Sequence, residues 1–141
     1  MRKPLLGLLL MFIASPLCAA GLTVTQAWIR LLPGDLPLAG YAHVVNSSAH
    51  DVTLVSASSP DFRAVQFHRS MNHGGMEEMV HLAKLSIAAG KSLDFAPGGY
   101  HLMLMGRRHP LEVGQQVALT LHFADGSKQT IQFVVKGATG K

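Results

Sequence analysis

From residue 116 to residue 123 apolar and polar side chains alternate. Val117, Leu119, Leu121 and Phe123 fall on one face of an extended chain, and Ala118, Thr120 and His122 on the other. A similar run covers 128–135, and Ala124-Asp125-Gly126-Ser127 between the two has the Gly-containing chemistry of a hairpin turn. Shorter runs of the same character occupy 22–31, 40–46, 52–56, 64–68, 78–83, 92–95 and 100–105. Breakers separate them, among them Pro33-Gly34, Asn46-Ser47-Ser48, Ser59-Pro60, His73-Gly74-Gly75 and Pro97-Gly98-Gly99. No long stretch has helical period, and neither a repeat nor a linker interrupts the pattern. Strands at this spacing predict one all-β domain over 21–141, an antiparallel β-sandwich or barrel. In this reading His68 closes a strand and 69–78 is a loop.

The pattern fails over the first twenty residues. MRKPLLGLLLMFIASPLCAA has a basic start, an apolar run and small residues at its end, the order found in a secretory signal peptide, with cleavage expected after Ala20. The apolar run is about a dozen residues, short of the about 20 that span a bilayer. Leu17 is bulky for the position before a lipidated cysteine, so lipidation at Cys18 is not expected. Removal of 1–20 takes away the only cysteine, Cys18, and with Arg2 and Lys3 gone the formal charge falls from +4 to +2. The remaining basic residues are scattered, so nucleic acid is not indicated as a partner. A mature chain of about 120 residues without a disulfide is large enough to be held by its apolar core.

Two residue types cluster against this background. The five methionines beyond residue 20 are Met71, Met76, Met79, Met103 and Met105, and His68, His73, His81 and His101 share their window. Methionine used as core filler would be spread among the strands. Thioether sulfur is polarizable and uncharged and selects Cu(I), while imidazole suits copper and zinc alike. A mixed His/Met set without thiolate makes a neutral cage suited to a monovalent ion. Blue-copper electron transfer needs a cysteine ligand, which the mature chain lacks. His101 and Met103 stand two apart on one strand face, about 6.6 Å between Cα atoms, and Met79 and His81 form a similar pair.

His68, ten residues, Met79, twenty-one residues, His101, one residue and Met103 resembles the motif of the periplasmic copper-A chaperones (PCuAC proteins). Ala27-Trp28-Ile29-Arg30, Gly40-Tyr41-Ala42 and Pro97-Gly98-Gly99-Tyr100-His101-Leu102-Met103-Leu104-Met105 extend the resemblance over essentially the whole mature chain. The resemblance implies a cupredoxin-like β-sandwich of Greek-key type that binds one Cu(I) through His68, Met79, His101 and Met103. It also implies a periplasmic location and delivery toward the CuA centre of cytochrome c oxidase. The implied partners are subunit II of that oxidase and Sco-type thiol proteins. A copper buffer without a dedicated acceptor needs the same cage and is the alternative. The end of the chain, from Lys136 to Lys141, has neither His nor Met, so the additional tail site of some members is not expected.

Other candidates have plainer readings. Met71, His73 and Met76 are grouped closely enough for a transient second site. His81 is an auxiliary candidate, and Met105 divides between supporting the site and packing. His43, His50, His109 and His122 are expected to serve structure or face solvent. Trp28 is expected in the core or beside the site. No nucleophile–base motif appears, so enzymatic activity is not expected. Ligands drawn from one chain's strands predict a monomer.

Overall fold

A computed structural model describes residues 21–141, and the expected signal peptide, 1–20, lies outside them. The described chain contains ten strands and no helix. They are β1 (Leu22–Arg30), β2 (Leu38–Asn46), β3 (Val52–Ser58), β4 (Phe62–His73), β5 (Met76–Leu82), β6 (Leu85–Ile87), β7 (Ser92–Phe95), β8 (Tyr100–Arg107), β9 (Gln116–Phe123) and β10 (Lys128–Lys136).

The alternation of β9 is realised as written. Val117, Leu119, Leu121 and Phe123 are buried, and their neighbours across the pleat are not. Its hairpin to β10 closes as expected: the Ser127 N–H and hydroxyl both donate to Asp125 Oδ1, at 2.8 and 2.6 Å. Phe133 on β10 joins Ile29, Leu38, Leu54, Leu102, Leu104 and Leu119 among the largest fully buried side chains. These residues come from six different strands, so one core is assembled from contacts distant in sequence.

The strands follow the order β5-β4-β8-β7-β2-β1-β10-β9-β3-β6, with additional pairings β4–β3 and β8–β2. The β4–β3 contact, Ala57 against Val65, closes the sheet on itself. The result is a flattened barrel of β4, β8, β2, β1, β10, β9 and β3, with β7 wedged between β2 and β8 and with β5 and β6 as free edges. The all-β sandwich or barrel expected from the pattern is therefore present. Its pairing is antiparallel except for β1–β10 and β7–β8, which are parallel. The first of these follows from closure, which sets the first and last strands side by side without a hairpin between them.

Three boundaries differ from the pattern in a way that matters for the site. β4 runs on to His73, so His68 lies inside a strand and does not close one. The expected loop 69–78 is instead a hairpin turning at Gly74-Gly75, with His73 opposite Met76. Its residues are exposed or half-buried on both faces. Apolar alternation is therefore absent, and the strands persist on their backbone ladder alone. β6 was not expected, having only three residues.

A bulge in β1 does the remaining positioning. Register shifts between Thr25 and Trp28, and Gln26 sits at φ 54°, a left-handed conformation uncommon without glycine. Beyond it Trp28 lies opposite Tyr41, with ring centroids 4.9 Å apart, while Ile29 turns inward to full burial. Arg30 thereby emerges on the same side as Trp28 and Tyr41.

Candidate metal centre

The apolar face of β8 is core: Leu102 and Leu104 are buried. His101, Met103 and Met105 occupy its other face, which is the outer face of the β5-β4-β8-β2 sheet. Cross-strand register brings the expected residues near one another there. His68 on β4 is the direct partner of His101 on β8, and on its other side of His81 on β5. Met103 lies opposite Gln66 and Met79 opposite Ser70, one step away along the strands in opposite directions.

Met79, His101 and Met103 line one open cleft of about 210 Å³, together with Arg30, Tyr41 and Glu77. His68 is not part of its lining, but its ring stands beside that of His101, with centroids 5.7 Å apart. An imidazole nitrogen binds a metal at about 2 Å, placing each ring centroid about 3.2 Å from the ion, so two rings sharing one ion stand about 5.2–6.4 Å apart. The observed spacing lies within that range.

The hydrogen bonds of the two rings decide which nitrogens are free. His68 Nε2–H donates to Gln66 Oε1 at 3.0 Å, and His101 Nδ1–H donates to the Gly99 carbonyl at 3.3 Å. Each bond leaves the opposite nitrogen with its lone pair, His68 Nδ1 and His101 Nε2. Both of these atoms are buried and have no hydrogen-bond partner. Buried nitrogens without partners are costly, and a ring held by one nitrogen with the other left open is the arrangement of a metal-ligating histidine. Among the described residues no group of three His, Cys, Asp or Glu side chains converges as a metal site. An ion held here would therefore take its remaining ligands from the thioethers. Met79 is 56% exposed, which leaves one side of the cleft open to solvent.

The electrostatics favour a low charge on any guest. Burial, and then the neighbouring His101 and His81, hold the His68 imidazole below its ordinary pKa. The Arg30 guanidinium lies 5.2 Å from the Tyr41 ring and 5.7 Å from that of Trp28, on the cleft wall. Burial pushes the Tyr41 phenol up, with Arg30 opposing. Glu77, which is exposed, also lines the cleft.

The depressed His68 has a consequence for the metal-free protein. Because the unfolded chain binds a proton at His68 more readily than the folded one, stability rises with pH up to the ordinary histidine pKa near 6.5 and this contribution is flat above it. His109, which Asp61 raises through a 2.5 Å hydrogen bond, contributes in the opposite sense. Urea unfolding between pH 5 and 7.5 should therefore show a shallower rise in His68→Gln than in wild type. Identical pH profiles would count against a proton penalty at His68.

The other expected candidates fall elsewhere. Met105 is half-buried opposite Ala64 and does not line the cleft. His73 and Met76 flank the hairpin turn, and Met76 is 76% exposed. His43 and His122 serve structure, bonded to Asp94 and Ser58. Trp28 flanks the site. Sequence reasoning missed the Gln66 side-chain amide oxygen that orients His68 and the Arg30–Tyr41 wall. Gln66 stands two residues before His68 on the same strand face, and that spacing is the signal from which it was legible.

Residues 22–135 match the family model described as "Putative lipoprotein LpqE-like". A protein of Leifsonia xyli subsp. xyli named as a lipoprotein, Lxx21020, is 36% identical over 123 residues, spanning 86% of this chain and 74% of its own length. The uncharacterized protein RP573 of Rickettsia prowazekii is 26% identical over 96 residues, 67% of this chain, and the chain spans about half of that relative, 53%. Among solved structures, the copper-bound PCuAC domain from PmoF2 matches with a TM-score of 0.71 at 27% identity, over 84% of this chain and 95% of that one. The solution structure of CuI-DR1885 from Deinococcus radiodurans matches with a TM-score of 0.66 at 29% identity, over 87% and 81%.

Proposed function

The chain belongs to the LpqE-like family, and from that premise we propose that it is a copper chaperone whose cargo is one Cu(I) held by His68, Met79, His101 and Met103. One observation carries the reading: two neighbouring imidazoles, each oriented by a hydrogen bond, present buried and unpartnered nitrogens beside a cleft lined by two thioethers. The copper-bound PCuAC domain from PmoF2 and CuI-DR1885 support the choice of metal.

Two imidazoles and two thioethers bring no charge, so the loaded site carries the +1 of Cu(I). Cu(II) prefers nitrogen and oxygen ligands in a tetragonal arrangement, and the Arg30 guanidinium on the wall penalises the extra charge further. The exposed Met79 suits transfer, since an acceptor's ligand reaches the ion from that side. Nothing in this set is arranged for turnover, so the reading is of a carrier and not an enzyme. Delivery toward the CuA centre of cytochrome c oxidase, by way of subunit II or Sco-type thiol proteins, is the acceptor side of the proposal. The protein works as an exported monomer in the periplasm. A family model and a relative both described as "putative lipoprotein" support export. No helix among the described residues is long and apolar enough to cross a membrane.

The test is anaerobic titration of residues 21–141 with Cu(I), Cu(II) and Zn(II), read by X-ray absorption. One tight Cu(I) with mixed nitrogen and sulfur scattering is expected. Preference for zinc, or a shell without sulfur, would overturn the reading. Delivery is tested separately by deletion on low copper: CuA content of the oxidase should fall, whereas intact oxidase with copper sensitivity would favour buffering.

A further inference from the structure

The histidine row does not end at the proposed cage. His81, His68 and His101 lie side by side across β5, β4 and β8 as direct register partners. The His68 ring is 5.7 Å from His101 and also 5.7 Å from His81. Either pair has the separation of two rings sharing one ion, about 5.2–6.4 Å. Only His68 belongs to both pairs.

Exposure is graded along the row. His101 is 4% exposed, His68 half-buried and His81 exposed. The strand carrying His81, β5, is a free edge of the sheet. A path from the buried ring to the exposed one therefore leads from the cleft to the border of the molecule, where another protein's ligands have access. Met79, on β5 two residues from His81, accompanies it and is 56% exposed.

We propose that His81 is an exit and entry ligand, which binds Cu(I) only during transfer while His68 holds the ion as a pivot. This rests on the Cu(I) reading of the site. In the step, the Cu–N bond to His101 and the Cu–S bond to Met103 break, and the lone pair of neutral His81 forms a new Cu–N bond. Copper remains Cu(I) and no proton or electron moves. His68 and Met79 stay bound, and the ion then faces solvent at β5 with a coordination position open to an acceptor.

A residue that touches the ion only in passage changes rates in both directions and leaves the equilibrium alone. The experiment compares wild type, His81→Ala and the remote control His43→Ala, all as residues 21–141. Equilibrium Cu(I) affinity is measured by competition, and transfer to excess bathocuproine disulfonate by stopped flow. His81→Ala is expected to keep its stoichiometry of one and its affinity within about threefold, while transfer slows about tenfold; His43→Ala should match wild type in both. An unchanged transfer rate in His81→Ala overturns the proposal. A tenfold loss of affinity also overturns it, by making His81 a resident ligand. Failure of wild type itself to bind Cu(I) instead overturns the functional reading beneath it. Because His81 is exposed on an edge strand, the variant should fold normally, and its far-UV spectrum checks this.

Discussion

His101→Leu is expected to lower Cu(I) affinity at least about 100-fold while leaving the metal-free protein no less stable than wild type. The first half follows from the ligand role proposed for His101, since even changes to groups that merely support a metal ligand cost about 10–100-fold. The second half comes from the free protein's own geometry. His101 is 4% exposed, and its Nε2 is buried without a partner. An unsatisfied buried polar atom costs about 1–3 kcal/mol, a burden that leucine removes while filling much of the same space. The only hydrogen bond lost, 3.3 Å to the Gly99 carbonyl, is long. A site poised for a guest is commonly less stable than the same fold without it. Urea unfolding of both proteins without metal, together with Cu(I) competition, tests the pair of claims. A variant that binds copper like wild type would remove His101 from the cage. A variant destabilised by several kcal/mol would show that the ring's packing outweighs its unmet nitrogen.

Phe133→Ala is expected to cost about 3–5 kcal/mol of folding stability, the range for truncating a buried aromatic ring. Phe133 is 1% exposed on β10, opposite Val117 of β9. Its ring reaches across the interior toward β2, where it would meet a Cβ placed at Gly40 at 3.7 Å. With no disulfide available to the described chain, the loss falls on a total of about 5–15 kcal/mol typical of single domains. Copper at 100 times its dissociation constant would restore about 2.7 kcal/mol. The measurement is the urea midpoint with and without Cu(I). The variant should be strongly destabilised when empty and partly rescued when loaded. A midpoint shift worth under about 1 kcal/mol would mean that the barrel collapses around the cavity.

Phe133 and His101 differ in how plainly the sequence announces their roles. Phe133 lies in a run whose apolar character was plain, and β9 and β10 appear in the structure nearly as their pattern predicted. β4 and β5 were legible only in part. Leu82, Phe67 and Val65 mark their inner portions, but Arg69 to Glu78 carries no alternation because both faces of the hairpin meet solvent. There the backbone ladder forms without a hydrophobic face to announce it. The candidate ligands were legible from residue type and spacing, since His and Met concentrate where packing does not call for them. Their orientation was not. That His68 presents Nδ1 and His101 presents Nε2 depends on Gln66 and on the Gly99 carbonyl, and the roles of the two ring nitrogens are invisible in a one-letter code.

By itself, then, the sequence determined that the domain is all-β, which residues face its core and which chemistry is concentrated between residues 68 and 103. These are local properties: alternation with period two, turn residues and the softness of sulfur and imidazole act wherever the chain goes. Only the tertiary structure decided that His81, His68 and His101 form one row, that the row grades from buried to exposed, and that Arg30, 49 residues before Met79 and 71 before His101, shares their cleft. Register across strands is set by closure of the whole barrel and by the bulge at Gln26. A one-residue shift of any of these strands would send its own side chains to the opposite face of the sheet.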